Sequence, residues 1–255
     1  MIRPIYPDLD GASVFITGGG SGIGAALTEG FLQQGAQVAF VQRSDASAFV
    51  EEMGASYHSP PLFLPCDVTH TGSLKGAIAA AAEAHGPVTV LVNNAANDKR
   101  HETLEVTEEF WDWSQAINLK SYFFGCQAVI PHMQAAGHGS IVNFSSISYM
   151  MGNAGYPAYA TANAGITGLT RSLAREFGPR KIRVNALMPG WVMTQKQKDL
   201  WVTPEALEGQ LARQCLKQEL LPEDIVGGTL FLASNASRMM TGQALVIDGG
   251  VVVTG

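Results

Sequence analysis

Val14-Phe15-Ile16-Thr17-Gly18-Gly19-Gly20-Ser21-Gly22-Ile23-Gly24 decides the fold of this chain. Its first four residues form an apolar run bounded by Gly11 and by the glycines 18 to 20, which reads as a buried first strand. An Ala- and Leu-rich helix, Ala25 to Gln34, follows and stops at Gly35. Strand, glycine turn and helix in that order let backbone N–H groups approach a pyrophosphate, whose charge the helix N-terminus favours. Gly18, Ser21, Gly22, Ile23 and Gly24 are therefore candidate dinucleotide-binding residues.

A second strand, Gln37 to Val41, follows Gly35 at once, as a βαβ unit requires. A carboxylate at its tip would accept from a ribose 2′-OH, whereas an arginine nearby accommodates a 2′-phosphate. The tip reads Gln42-Arg43-Ser44-Asp45, with no carboxylate at the strand end, and Arg43 with Ser44 can bind a phosphate. Alternatively, Arg43 is solvated and Asp45 turns in to hold NAD, and Ser21 brings no positive charge to a phosphate. The balance favours NADP over NAD.

The rest of the chain keeps the same alternation. Leu62 to Leu64 reads as a third strand, with Asp67 and Val68 beyond its end, where a carboxylate reaches an adenine. A helix over Ser73 to His85 precedes a fourth strand, Val88 to Val92, which runs into Asn93-Asn94-Ala95-Ala96. A polar pair there can brace the sheet backbone. A long helix over Glu108 to Pro131 is interrupted by Asn118, a polar side chain that is costly to bury without a partner. Strand Ile141 to Phe144 ends in Ser145-Ser146, and a loop from Ile147 to Pro157 leads into a helix over Ala158 to Phe177. Tyr159 lies in the first turn of that helix, so the Ser146 hydroxyl and the Tyr159 phenol can converge on one substrate oxygen. Asn163 stands one turn later on the same face. A sixth strand, Ile182 to Ala186, leads to Pro189-Gly190-Trp191, and the charged stretch after it gives a lid around residues 191–222. Ala244 to Asp248 is a last strand. The prediction is one α/β domain over residues 1–255, a Rossmann-type doubly wound parallel sheet flanked by helices, with its site beyond the strand C-termini.

Composition agrees with one full core: 255 residues with 46% hydrophobic content. The formal charge of −6 argues against a nucleic-acid footprint. No apolar stretch approaches the ~20 residues that span a bilayer, and Met1 to Asp10 carries no apolar leader segment, so a soluble, cytoplasmic protein is expected. Cys66, Cys126 and Cys215 are odd in number and far apart, which suggests small buried thiols and no metal site.

These pieces together resemble the short-chain dehydrogenase/reductase family over essentially the full length. They are Thr17 to Gly24, Asn93 to Ala96, Asn118 mid-helix, Ser146 thirteen positions before Tyr159, and Pro189-Gly190 leading through Val192 to Thr194. The resemblance implies that Tyr159 is the general base or acid, that Ser146 bonds the substrate oxygen and that Asn118 supports a proton-relay water. It extends the cofactor set to Asn94, Ala95, Tyr159, Pro189, Gly190, Val192 and Thr194, and it implies a homotetramer; the apolar tail Val251-Val252-Val253 is compatible with an interface and equally with finishing the core. In the family a lysine four residues after the tyrosine binds the nicotinamide ribose and lowers the tyrosine's pKa. Here that position is Asn163. A phenol titrates near 10 unaided, and losing a nearby cation leaves little phenolate at neutral pH. The Asn163 amide still carries two N–H groups for ribose hydroxyls. Three readings stay open: an active enzyme with a high pH optimum, a weakened natural member, or a chain altered at this position.

For the substrate, Asp98 and Arg100 in the loop after the fourth strand can grip vicinal hydroxyls, and Trp191 can face a sugar ring. The alternative is a surface loop with an internal Asp–Arg pair and a packing tryptophan. Ile5 to Leu9, Asn97 to His101 and Gln214 to Leu216 are similar to bacterial aldose 1-dehydrogenases of the xylose and arabinose type. That similarity implies sugar contacts at Asp98, Arg100, Trp191 and Gln197 and oxidation of the C1 hydroxyl to a lactone. Those relatives carry an acidic residue where Gln42 stands, which implies a switched cofactor. A carbonyl or sugar-acid ketoreductase, or an NADP(H)-binding sensor without turnover, are the alternatives.

Overall fold

Short strands that are apolar on both faces require cover on both faces, and the computed structural model, which describes residues 4–253, supplies it. Seven parallel strands form one sheet in the order β3-β2-β1-β4-β5-β6-β7. They are β1 (Ser13–Thr17), β2 (Gln37–Gln42), β3 (Leu62–Pro65), β4 (Val90–Asn93), β5 (Gly139–Phe144), β6 (Ile182–Pro189) and β7 (Ala244–Ile247). The order reverses between β1 and β4, so the crevice that receives ligands opens there.

Helices cover the sheet: α1 (Gly22–Gln33), α2 (Ser47–Ser56), α3 (Thr71–His85), α4 (Glu108–Gln115), α5 (Ser121–Ala136), α6 (Ser148–Met151), α7 (Pro157–Phe177), α8 (Gln195–Leu200), α9 (Pro204–Arg213) and α10 (Pro222–Ala233). Successive strand residues feed opposite cores. Val14, Ile16, Val92 and Val142 face Leu27 and Phe31 of α1 and Ile225 and Leu230 of α10. Phe15, Leu91, Ile141 and Val184 face Leu74 of α3, Val129 of α5 and Leu173 of α7.

The expected helix over Glu108 to Pro131 is two helices, α4 and α5, joined by a π-helical turn over Ala116–Lys120. Pro131 lies inside α5, which runs on to Ala136. The fourth strand begins two residues later than expected and the sixth runs three residues further, to Pro189. The loop after Ser146 contains the short helix α6. Like α6, helices α2, α8, α9 and α10 were not anticipated. The α10 segment holds Gly227-Gly228, which argues against a helix on propensity alone. A Cβ at Gly228 would stand 2.5 Å from Cδ1 of Ile247, so close packing on β7 requires the glycine. Cys66 and Cys126 are buried, but Cys215 is exposed, its thiol turned to the Gly250 carbonyl, because it sits on the loop after α9 rather than in a core. Among the described residues no helix is long and apolar enough to cross a membrane, and no cluster of His, Cys, Asp or Glu can hold a metal.

Candidate active site

A cleft of about 1130 Å³ runs across the C-terminal ends of the strands. With the exception of Asn118 and Asp45, every residue singled out above for the cofactor, the chemistry or the substrate lines it.

At its floor lies the glycine turn. Gly18 has φ of +72°, and a Cβ at Gly24 would meet the Gly18 carbonyl oxygen at 1.8 Å, so both positions exclude other residues. Asn94 braces the turn, its amide donating to the carbonyls of Thr17 at 3.0 Å and Gly18 at 3.2 Å. The Thr17 hydroxyl accepts from the N–H groups of Asn94 and Ala95. Ser21, the N-cap of α1, makes no side-chain cap, which leaves the first N–H groups of α1 facing the cleft. The chemistry of this donor set fits a dinucleotide: a cradle too narrow for side chains under a helix N-terminus.

Gln42 is committed to the protein at the strand tip. Its Oε1 accepts from Gly20 N–H at 3.0 Å, and its Nε2 donates to the Ser44 carbonyl at 3.1 Å. Asp45 does not turn inward: its carboxylate accepts from the N–H and hydroxyl of Ser47 at the start of α2. Arg43 extends along the cleft with its side chain 77% exposed, 3.9 Å from Asp67. Burial works against the Asp67 carboxylate, but the Thr69 hydroxyl and N–H and the Arg43 charge outweigh it and hold its pKa below the ordinary value.

At the chemical end, the two serines after β5 divide their tasks. Ser145 is buried and its hydroxyl donates to the Asn163 carbonyl at 2.9 Å. Ser146 faces the cleft, its hydroxyl oxygen accepting from the Ser148 N–H at 3.1 Å. The Tyr159 phenol is pushed up to about 12. Burial is the largest cause and the Asp98 carboxylate the next, while hydrogen bonding from Ser146 and Asn163 pulls weakly the other way. Asn163 is almost fully buried, and its amide donates to the Tyr159 carbonyl at 2.9 Å. That leaves one of its two N–H groups for another acceptor. Among the described residues, no cation is among the groups that shift the Tyr159 phenol.

Asn118 sits behind this wall. The π-helical turn points it at Asn97, where its Oδ1 accepts from the backbone N–H at 2.7 Å and its Nδ2 donates to the carbonyl at 3.0 Å. Its amide holds the loop after β4 instead of lining the cleft.

The substrate end is built from that loop and from α8. Asp98 pairs with Lys196 at 3.1 Å and accepts from Gln197 Nε2 at 2.8 Å, while Gln197 Oε1 accepts from Trp191 Nε1 at 2.8 Å. The intraloop Asp98–Arg100 pair is therefore not formed, because Lys196 reaches Asp98 from across the cleft. Burial would raise the Asp98 pKa, but Gln197 and Lys196 more than offset it and keep the carboxylate ionised. Arg100 instead lies over aromatic rings, 4.2 Å from the centre of Tyr156 and 5.2 Å from that of Trp201. Lys196 and Tyr156 gave no sign in the sequence: Lys196 lies in α8 and Tyr156 at the N-cap of α7, and their partners Asp98 and Arg100 are distant in sequence.

Such a cleft defines a nicotinamide-dependent oxidoreductase, and the comparisons agree. A family model described as enoyl-(acyl carrier protein) reductase matches residues 18–252. The chain belongs to the short-chain dehydrogenase/reductase family and is an NAD(P)-dependent oxidoreductase acting on CH–OH groups. It is 51% identical to the "Probable galactose dehydrogenase" of Rhizobium meliloti (strain 1021), over 96% of this chain and 97% of that one. It is 45% identical to the D-xylose 1-dehydrogenase of Caulobacter vibrioides, over 98% and 99%. A solved structure described as an NAD(P) dependent gluconate 5-dehydrogenase from Beutenbergia cavernae, with NADP bound at low occupancy, superposes with a TM-score of 0.89 at 33% identity, over 95% and 97%.

Proposed function

We propose that this protein oxidises the anomeric C1 hydroxyl of an aldose to the lactone, with NADP⁺ preferred over NAD⁺. The observation that carries the reading is one cleft lined by Ser146 and Tyr159 together with Asp98, Arg100, Trp191 and Gln197, whose groups can bond sugar hydroxyls. Relatives named for galactose and xylose support it. The bound nicotinamide ring supplies the hydride acceptor. Ser146 orients the C1 hydroxyl by hydrogen bonding, and Tyr159, as phenolate, takes its proton while the C1 hydrogen leaves as hydride. Asn163 keeps one N–H on the Tyr159 carbonyl and shares the other between the phenol and the cofactor ribose. Asn118 fixes Asn97 and so the loop that carries Asp98. Residues 191–222 serve as the lid, and because Asp98 and Gln197 bond each other across the cleft, sugar hydroxyls enter by exchanging with that contact.

A panel of aldoses and polyols with both cofactors, run from about pH 7 to about pH 10, where an ordinary phenol titrates, tests this. Reduced cofactor and a lactone product are expected with at least one aldose; none with any sugar contradicts it. A cofactor-binding sensor without turnover is the second reading, favoured by Asn163 alone.

The NADP preference rests on Arg43 with Ser44 at the tip of β2, Asp45 being engaged by Ser47. A charge-assisted hydrogen bond contributes ~1.5–3 kcal/mol, roughly a tenfold to hundredfold effect. Arg43→Ala is expected to weaken NADP⁺ binding by about that factor and to leave NAD⁺ within roughly threefold, measured by fluorescence titration. Equal losses rule out a phosphate contact.

A further inference from the structure

Helix α7, which carries Tyr159, begins without a cap of its own. Tyr156 at the N-cap makes no side-chain cap, and Pro157 at the first position has no N–H to offer. The first donor to need a partner is therefore Ala158, the neighbour of Tyr159. Its N–H finds Nε2 of His101 at 3.3 Å, 57 residues away in sequence.

The tautomer follows from the partners. A backbone N–H only donates, so Nε2 is the acceptor, and the proton resides on Nδ1, which donates to the Lys99 carbonyl at 3.0 Å. The His101 backbone N–H also donates to the Gly155 carbonyl at 2.8 Å. Phe110 of α4 lies against the imidazole with ring centres 4.7 Å apart and fixes its plane. The preceding residue, Arg100, stands over Tyr156. Residues 100 and 101 thus hold segment 155–158 at three points, although the two segments share no strand pairing.

We infer that His101 is a positioning residue for Tyr159, capping the catalytic helix as a neutral imidazole acceptor and fixing that helix to the loop that bears Asp98 and Arg100. The consequence for the reaction, which rests on Tyr159 being the base, is geometric. The base comes from α7 and the sugar-binding groups from the loop after β4, and His101 sets the distance between them. With no lysine at position 163, the placement of the phenol depends the more on the first turn of its helix.

The test uses His101→Leu, which keeps the bulk and removes the acceptor, and His101→Gln, which restores one, both in the full-length protein. In the Leu variant the peptide containing Ala158 and Tyr159 is expected to exchange its amide hydrogens faster, and kcat to fall by about tenfold to a hundredfold, as a displacement of about 1 Å can cause. Cofactor Kd is expected to stay unchanged. The Gln variant is expected to recover both readouts to within about threefold of wild type, since either side chain offers one acceptor to the N–H. Unchanged exchange in His101→Leu overturns the inference, and so do equal losses in the two variants, which mean that bulk packing alone matters. Exchange needs no substrate. If the wild type oxidises no aldose while the exchange pattern holds, the cap stands and the sugar reading fails.

Discussion

Asn163→Lys is expected to raise sugar oxidation at neutral pH by about tenfold to a thousandfold. A cation within ~4–6 Å of an ionisable group moves its pKa by ~1–3 units toward the charged form, and each unit is a factor of ten in phenolate well below the pKa. Asn163 already stands one turn beyond Tyr159, buried and lining the same cleft, with one N–H spent on the Tyr159 carbonyl. A lysine there brings charge to a phenol that burial and Asp98 have pushed up to about 12. Because the base is the deprotonated form, lowering its pKa moves the rising limb of the pH–rate profile downward. The gain should be largest at low pH and shrink as pH rises. Steady-state rates of both proteins across the pH range check this. No gain at any pH would mean either a cofactor sensor or a site adapted to Asn.

Tyr159→Phe is expected to lower kcat by about a hundredfold to ten thousandfold, the usual contribution of a positioned acid or base. The phenyl ring fills the same space, so the Tyr156 ring contact, with centres 5.6 Å apart, should survive and fold stability should change little. Cofactor affinity should hold as well, because the glycine turn, Asn94 and the tip of β2 carry it. Single-turnover kinetics with cofactor titration separate the two quantities. A variant retaining turnover within about tenfold of wild type would show that another group takes the proton, since a lost catalytic base costs more than that.

The parts of this molecule that were legible in its sequence are the local ones. The turn from Gly18 to Gly24 declares itself because glycine is needed where a Cβ would strike the Gly18 carbonyl. Ser146 and Tyr159 follow from a strand end and a helix start, each visible in hydrophobic periodicity. Of the Asn93-Asn94 pair expected to brace the sheet backbone, Asn94 holds the Thr17 and Gly18 carbonyls, whereas the Asn93 amide donates to the Asn143 side chain. What stayed hidden depends on partners far away in sequence. Asp98 reads as a partner for Arg100 two residues on, but Lys196 pairs with it from across the cleft. Asn118 reads as a break in one helix, yet it marks a π-helical turn aimed at Asn97. Cys215 carries no sign of being exposed, and His101 has no local signature of its contact with Ala158. Helix α10 was masked by two glycines whose reason is the packing of Gly228 on β7.

The central claim is that a family oxidation is run here by a phenol without its lysine. The pH dependence of kcat for the unmodified protein with its best aldose tests it most directly. If free phenolate limits the rate, kcat rises about tenfold per pH unit from about pH 7 toward pH 10 without levelling, because the phenol's pKa lies above that range. A plateau reached below about pH 8 would contradict the account, since it requires a base with a pKa near neutrality that Tyr159 beside Asn163 does not provide.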